Sequence, residues 1–197
     1  MRRSPLFIGT VTRAVHLIIT GYGHWLPNDP RGSGSSSVRA PKLRYYGPVH
    51  FGRKRQQPLR AELRAFHRNA EAKLEHPVLW FDEKMRDAIA RGIERAQGEA
   101  QYTIWACAIL RNHVHLVIRT HRDKSMDMLA RIAGHAHESI HAQKLAPEGH
   151  PVWSNRPYKV YLRSDTQIQQ VIRYVGQNPM KEGLAPQKWG FVVRFEK

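Results

Sequence analysis

Apolar positions along the chain follow two rhythms, and their order predicts a fold. Residues 11–20 (VTRAVHLIIT) are rich in β-branched side chains and predict a first strand, broken by Gly21-Tyr22-Gly23. Residues 59–74 predict a basic helix. Met85, Ile89 and Ile93 recur four apart and predict a helix over 83–97, with Asp82 as its N-cap. Residues 102–110 and 113–120 predict two strands joined by Arg111-Asn112. Residues 125–144 predict a helix whose inner face is Leu129, Ile132, Ala133, Ala136 and Ile140. Pro147, Gly149 and Pro151 end it. Residues 158–163 (YKVYLR) alternate and predict a fourth strand. Ser164-Asp165 then caps a last helix over 166–177. Pro179 disfavours helical geometry at Asn178, so the helix is expected to stop there. A short strand over 191–195 is expected to close the chain.

This order is that of an α+β protein of the split βαβ type, an antiparallel sheet with helices packed on one face. The other face is then left to bind a ligand. With no internal repeat and no second boundary, residues 1–197 are read as one domain with a real core.

One stretch breaks the rhythm. Residues 22–58 have little periodicity, five prolines from Pro27 to Pro58, and the run Gly32-Ser33-Gly34-Ser35-Ser36-Ser37. A loop this long in a compact domain is usually functional or disordered. Its cations, including Arg31, Arg39, Lys42, Arg44, Arg53, Lys54 and Arg55, are interleaved with Trp25, Tyr45, Tyr46 and Phe51. Such mixtures suit single-stranded nucleic acid, because charge follows phosphate and rings stack on bases. Trp25, Arg31, Arg53, Lys54 and Arg55 are the candidate DNA contacts. A solvated basic loop with its aromatics tucked onto the core remains the alternative.

Charge narrows the partner. Lys and Arg number 32 against 16 Asp and Glu, a formal charge of +16. That excess favours a polyanion, nucleic acid first. No segment joins a basic face to an unbroken apolar one, and no apolar run approaches the roughly 20 residues of a spanning helix, so no membrane partner is expected. Residues 5–9 are too short for a signal-peptide core. The single Cys107 cannot form an internal disulfide, which suits a reducing cytoplasm, and its place among apolar residues marks a buried structural thiol. A cytoplasmic protein, associated with the nucleoid through DNA, is expected.

The candidate chemistry lies in two short patterns. His113-Val114-His115 sits on a predicted strand, where the period of two turns both imidazoles to one face. Tyr174 and Asn178 sit four apart on a predicted helix and share a face. Two imidazoles, an amide oxygen and a phenol, brought together, can hold a divalent metal beside a nucleophile, a combination suited to cutting a phosphodiester. A third pattern, His137-Glu138-Ser139-Ile140-His141, matches the H-E-x-x-H template of zinc peptidases. No third ligand follows at a family spacing, and a peptidase gives no reason for the positive charge.

These motifs resemble the single-tyrosine HUH transposases (His-hydrophobic-His), specifically the REP-associated tyrosine transposases. Their metal motif typically reads N-H-V-H-L-L or N-H-V-H-L-V, and Asn112-His113-Val114-His115-Leu116-Val117 stands here. Their nucleophile segment typically reads R-Y-I-x-x-N-P-V-x-A-G-L. Here residues 173–184 read RYVGQNPMKEGL. The resemblance covers most of the chain from Val15 to Leu184. It implies a ferredoxin-like fold and a divalent metal, Mg²⁺ or Mn²⁺. It also implies cleavage and rejoining of single-stranded or hairpin DNA through a 5′-phosphotyrosine, leaving a free 3′-OH. By position, His113, His115 and Asn178 become the metal ligands and Tyr174 the nucleophile. The chain departs from the commoner pattern at Met180 and Glu182 and in the long 22–58 segment. A monomer and a homodimer both remain open, as does a non-catalytic single-strand binding module derived from such an enzyme.

Overall fold

The computed structural model describes residues 11–33, 48–154 and 157–196. Arg39, Lys42, Arg44, Tyr45 and Tyr46 of the expected basic insertion lie outside these residues, as do residues 5–9. The elements run β1 (Ala14–Thr20), α1 (Arg60–Glu71), α2 (Glu83–Ala100), β2 (Ile104–Ile109), β3 (His113–Arg119), α3 (Ser125–Ala142), β4 (Tyr158–Leu162) and α4 (Asp165–Lys181). The strands form one antiparallel sheet in the order β2-β3-β1-β4. The α+β class and the antiparallel sheet are those the sequence predicts. Among the described residues, no helix is long and apolar enough to cross a membrane.

Strand alternation divides the core in two. Val15, Leu17 and Ile19 of β1 and Val114, Leu116 and Ile118 of β3 turn to one face, where α2 and α3 cover them with Ile89, Ile93, Ile132 and Ile140. Asp82 caps α2 as predicted, its side chain accepting from the Met85 N–H at 2.8 Å. Burial pushes the Cys107 thiol pKa up, so it stays a protonated structural thiol.

The opposite face differs from a simple open sheet. Helix α4 lies on it, packing Ile168 and Val175 against Ala14, Ala106, Ala108 and Val117. The reason is side-chain size: alanines at 106 and 108 let a helix approach β2 closely, and α4 carries an apolar stripe that must be buried. Helix α1 packs on neither face; its Phe66 and Ala70 close over Leu26 of the long loop.

Two expectations need correcting. Helix α4 does not stop at Asn178 but runs through Pro179 to Lys181. The end is secured beyond the proline, where the Glu182 N–H donates to Asn178 O (3.2 Å) and the Leu184 N–H to Pro179 O (2.9 Å). Gly183, at φ +70°, makes the left-handed turn that permits this closure. The strand expected over 191–195 reduces to one bridge, Ile104 with Val192, extended by the Val193 N–H donating to Ile104 O at 2.9 Å.

Candidate active site

The register that pairs Ile18 with His115 and Thr20 with His113 sets both histidines on the α4 side of the sheet. Their ring nitrogens Nε2 face each other at 2.9 Å. Each ring is held from behind. The His113 Nδ1–H donates to Asn112 Oδ1 at 2.6 Å, so the His113 Nε2 is an acceptor, here facing the His115 Nε2–H. His115 Nδ1 lies 2.9 Å from Nε2 of His16, which is 7% exposed on β1. Nothing in the sequence reading singled out His16. The available signal was a lone imidazole in an otherwise apolar strand, and its meaning depends on a register that pairs residues 99 apart.

Burial keeps the three rings neutral. It lowers the His16 pKa to about 4 and, with the charge of His24 adding to it, that of His113 to about 4. For His115, burial and then the neighbouring His113 and His16 lower it to about 3. Neutral imidazole is the form in which a histidine nitrogen can ligate a cation.

Helix α4 carries the other two predicted residues, and places Tyr174 against the histidines. The Tyr174 ring stands edge-on to His115, with centroids 5.7 Å apart, and to His16 at 6.4 Å. It is 46% exposed, so a substrate can reach it. Lys181 Nζ lies 5.1 Å above the ring. Asn178, one turn beyond Tyr174, is buried at 6% exposure, and its Nδ2 has no hydrogen-bond partner. A buried amide N–H end without a partner is unusual. Among the described residues, no three His, Cys, Asp or Glu side chains gather to hold a metal ion.

The loop contacts are only partly free. Arg31 grips the fully buried Asp29 carboxylate through Nε (2.8 Å) and Nη2 (2.7 Å) and stacks 4.1 Å from the Trp25 ring centroid. Burial alone would raise the Asp29 pKa, yet hydrogen bonds from Arg31 and His67 hold it below the usual carboxylate range. Gly32, at φ +93°, has its backbone against Gly52 O, where a Cβ would come within 2.0 Å. The Lys54 N–H donates to Arg31 O at 2.9 Å, tying the cationic cluster to this turn, while Arg53 and Arg55 are exposed. The peptidase-like pattern is occupied otherwise: His141 Nε2 lies 3.1 Å from His150 O, and Glu138 pairs with Arg95 and His135.

No family model matches the chain, and no curated protein matches it. It is similar to the solved structure of a REP-associated tyrosine transposase bound to a REP hairpin. The identity is 13% and the TM-score 0.44, over 93% of this chain and 76% of that one. It is also similar to the structure of a candidate transposase from Deinococcus radiodurans R1. There the identity is 10% and the TM-score 0.40, over 94% of this chain and 100% of that one.

Proposed function

We propose that the protein is a metal-dependent endonuclease and strand-transfer enzyme for single-stranded DNA, of the HUH transposase type. The observation that carries this reading is the pair of neutral imidazoles whose Nε2 atoms face each other at 2.9 Å, with an exposed tyrosine edge-on to one of them. His113 and His115, with the Asn178 amide oxygen, would hold a Mg²⁺ or Mn²⁺ ion. Such an ion, when bound, polarises the scissile phosphate and steadies the departing oxygen.

The chain's own residues do the rest. The Tyr174 phenol oxygen forms a bond to phosphorus as the bond from phosphorus to the 3′ oxygen breaks. The phenol proton leaves to solvent, and the departing oxygen takes up a proton as a free 3′-OH. The 5′ end is then held on Tyr174, and attack by a 3′-OH reverses the steps and rejoins DNA. Asn112 and His16 hold the two imidazoles in place. The excess of positive charge supports a nucleic-acid substrate.

The test is a denaturing gel of the full chain with labelled single-stranded oligonucleotides, plain and hairpin-bearing, in Mn²⁺ and Mg²⁺. A covalent protein–DNA band that needs the metal is expected. Binding without any such band across the panel would sink the enzyme reading and leave the non-catalytic binding module.

A further inference from the structure

Residues 79–81 adjoin the turn that leads into His113 and are pinned on both sides. The Leu79 N–H donates to Tyr22 O (3.1 Å) and the Phe81 N–H to Arg111 O (2.6 Å). Leu79 and Phe81 sink into the main core, at 7% and 1% exposure. Trp80 between them faces outward and is 59% exposed. Its indole stands edge-on to the His24 ring, with centroids 4.3 Å apart, and His24 is itself fixed by Nε2 lying 2.9 Å from Leu79 O. The chain thus mounts a large flat ring on a rigid base and leaves its surface bare.

Other exposed groups point to what would cover it. Arg111, whose carbonyl anchors Phe81, is exposed and lies two residues from His113. Trp25, next to His24 in sequence, is 38% exposed and carries the Arg31 guanidinium on its ring. Tyr158, 63% exposed, occupies the sheet row of Ile18 and His115. Exposed aromatic rings and cations in a chain of charge +16 match one occupant, an unpaired nucleic-acid strand. A paired base offers no free face to such a ring.

We propose that Trp80 is a stacking platform for an unpaired base of the strand that enters the site. The base lies on the indole while Arg111 faces the backbone phosphate. This inference rests on the single-strand nuclease reading and adds where that strand is gripped. Because the ring is already fixed, stacking orders no further side chain of the protein.

Anisotropy of a fluorescein-labelled single-stranded oligonucleotide, on the full chain without divalent metal, reads the platform apart from the chemistry. Trp80→Ala is expected to weaken binding by roughly 5-fold or more, the lower end for loss of one stacked base. Trp80→Phe is expected to keep most of the affinity, and Trp80→Leu, apolar but without a π-face, to lose it. Blunt duplex binding should not change. Irradiation of the unmutated protein with a 5-iodouracil oligonucleotide should place a crosslink on Trp80. Leu binding as well as Trp, or crosslinks found only elsewhere, would overturn the platform. The two readings fail separately. A Tyr174 adduct in a protein indifferent to Trp80→Ala removes only the platform, whereas strand binding that needs Trp80 without any adduct removes only the nuclease.

Discussion

His16 Nε2 lies 2.9 Å from His115 Nδ1, joining two strands behind the face on which Nε2 of His113 and His115 meet. This contact fixes the His115 ring and lets its proton sit on either nitrogen. With the proton on Nδ1, shared toward His16, the His115 Nε2 lone pair is free for a cation. Partners of this kind typically change metal affinity 10- to 100-fold. His16→Ala is therefore expected to weaken Mn²⁺ binding by about 10-fold or more, read by calorimetry or electron paramagnetic resonance on the unreacted protein. An unchanged Mn²⁺ affinity would show that His16 only fills space.

Removing either facing imidazole should be more severe. His113→Ala or His115→Ala is expected to abolish cleavage. Most DNA affinity should remain, because phosphate contacts made by the basic surface dominate it. That affinity should in turn fall steeply as salt rises. Cleavage at the parental rate in either variant would refute the ligand assignment.

Metal-free protein should lose stability as acid is added. His16, His113 and His115 fold with pKa values lowered to about 4, 4 and 3 by burial. The unfolded chain takes up these protons near the ordinary histidine value of ~6.5, the folded chain only well below it. The stabilisation is complete above pH ~6.5 and is lost progressively as pH falls through about 4. Melting temperatures of the metal-free protein should drop across this window. The drop should be smaller in His16→Phe than in the parent when each is compared with its own value at pH 7. Equal drops would mean that His16 is solvated rather than buried.

Asp29 offers a test of the loop. Its carboxylate is fully buried, and Arg31, at 27% side-chain exposure, is its main partner. Asp29→Ala leaves Arg31 without that partner and is expected to cost about 3 kcal/mol in denaturant unfolding. This is the low end for breaking a buried pair, because Arg31 still reaches water. Arg31→Ala should cost stability as well. If Arg31 also touches DNA, affinity per folded molecule will fall with it; if it falls only in step with the unfolded fraction, its role is structural.

Much of this arrangement was legible in the chain because it depends on local spacing. Met85, Ile89 and Ile93 mark α2, and the His-x-His spacing alone puts two imidazoles on one face. Features set by distant partners were not legible. The alanines of β2 do not announce that α4 will lie on them, although their size is what admits it. Asn178-Pro179 looks like a helix end, and only the closure at Gly183 carries the helix past it. His16 acquires meaning from the register of β1 on β3, and Trp80 from two backbone hydrogen bonds to segments far along the chain.

The nucleophile provides the sharpest test, since one oxygen atom is at stake. Tyr174 is half exposed and meets His115 and His16 through its ring, so Tyr174→Phe keeps those contacts and removes only the hydroxyl. Stability should change by less than about 0.5 kcal/mol, as for other substitutions at exposed positions. The covalent protein–DNA band should vanish. Asn178→Ala acts differently. It leaves the phenol in place but removes the buried amide whose nitrogen has no partner. The band should still form, more slowly, and at metal concentrations raised by about 10-fold or more if that amide turns its oxygen to the ion. Mass spectrometry of the trapped complex should find the DNA on Tyr174. Tyr158 and Tyr161 are also exposed, on the edge strand β4. An adduct on either would mean that the attacking phenol comes from the sheet edge, and α4 would lose its assigned role even if the protein proved to cut DNA.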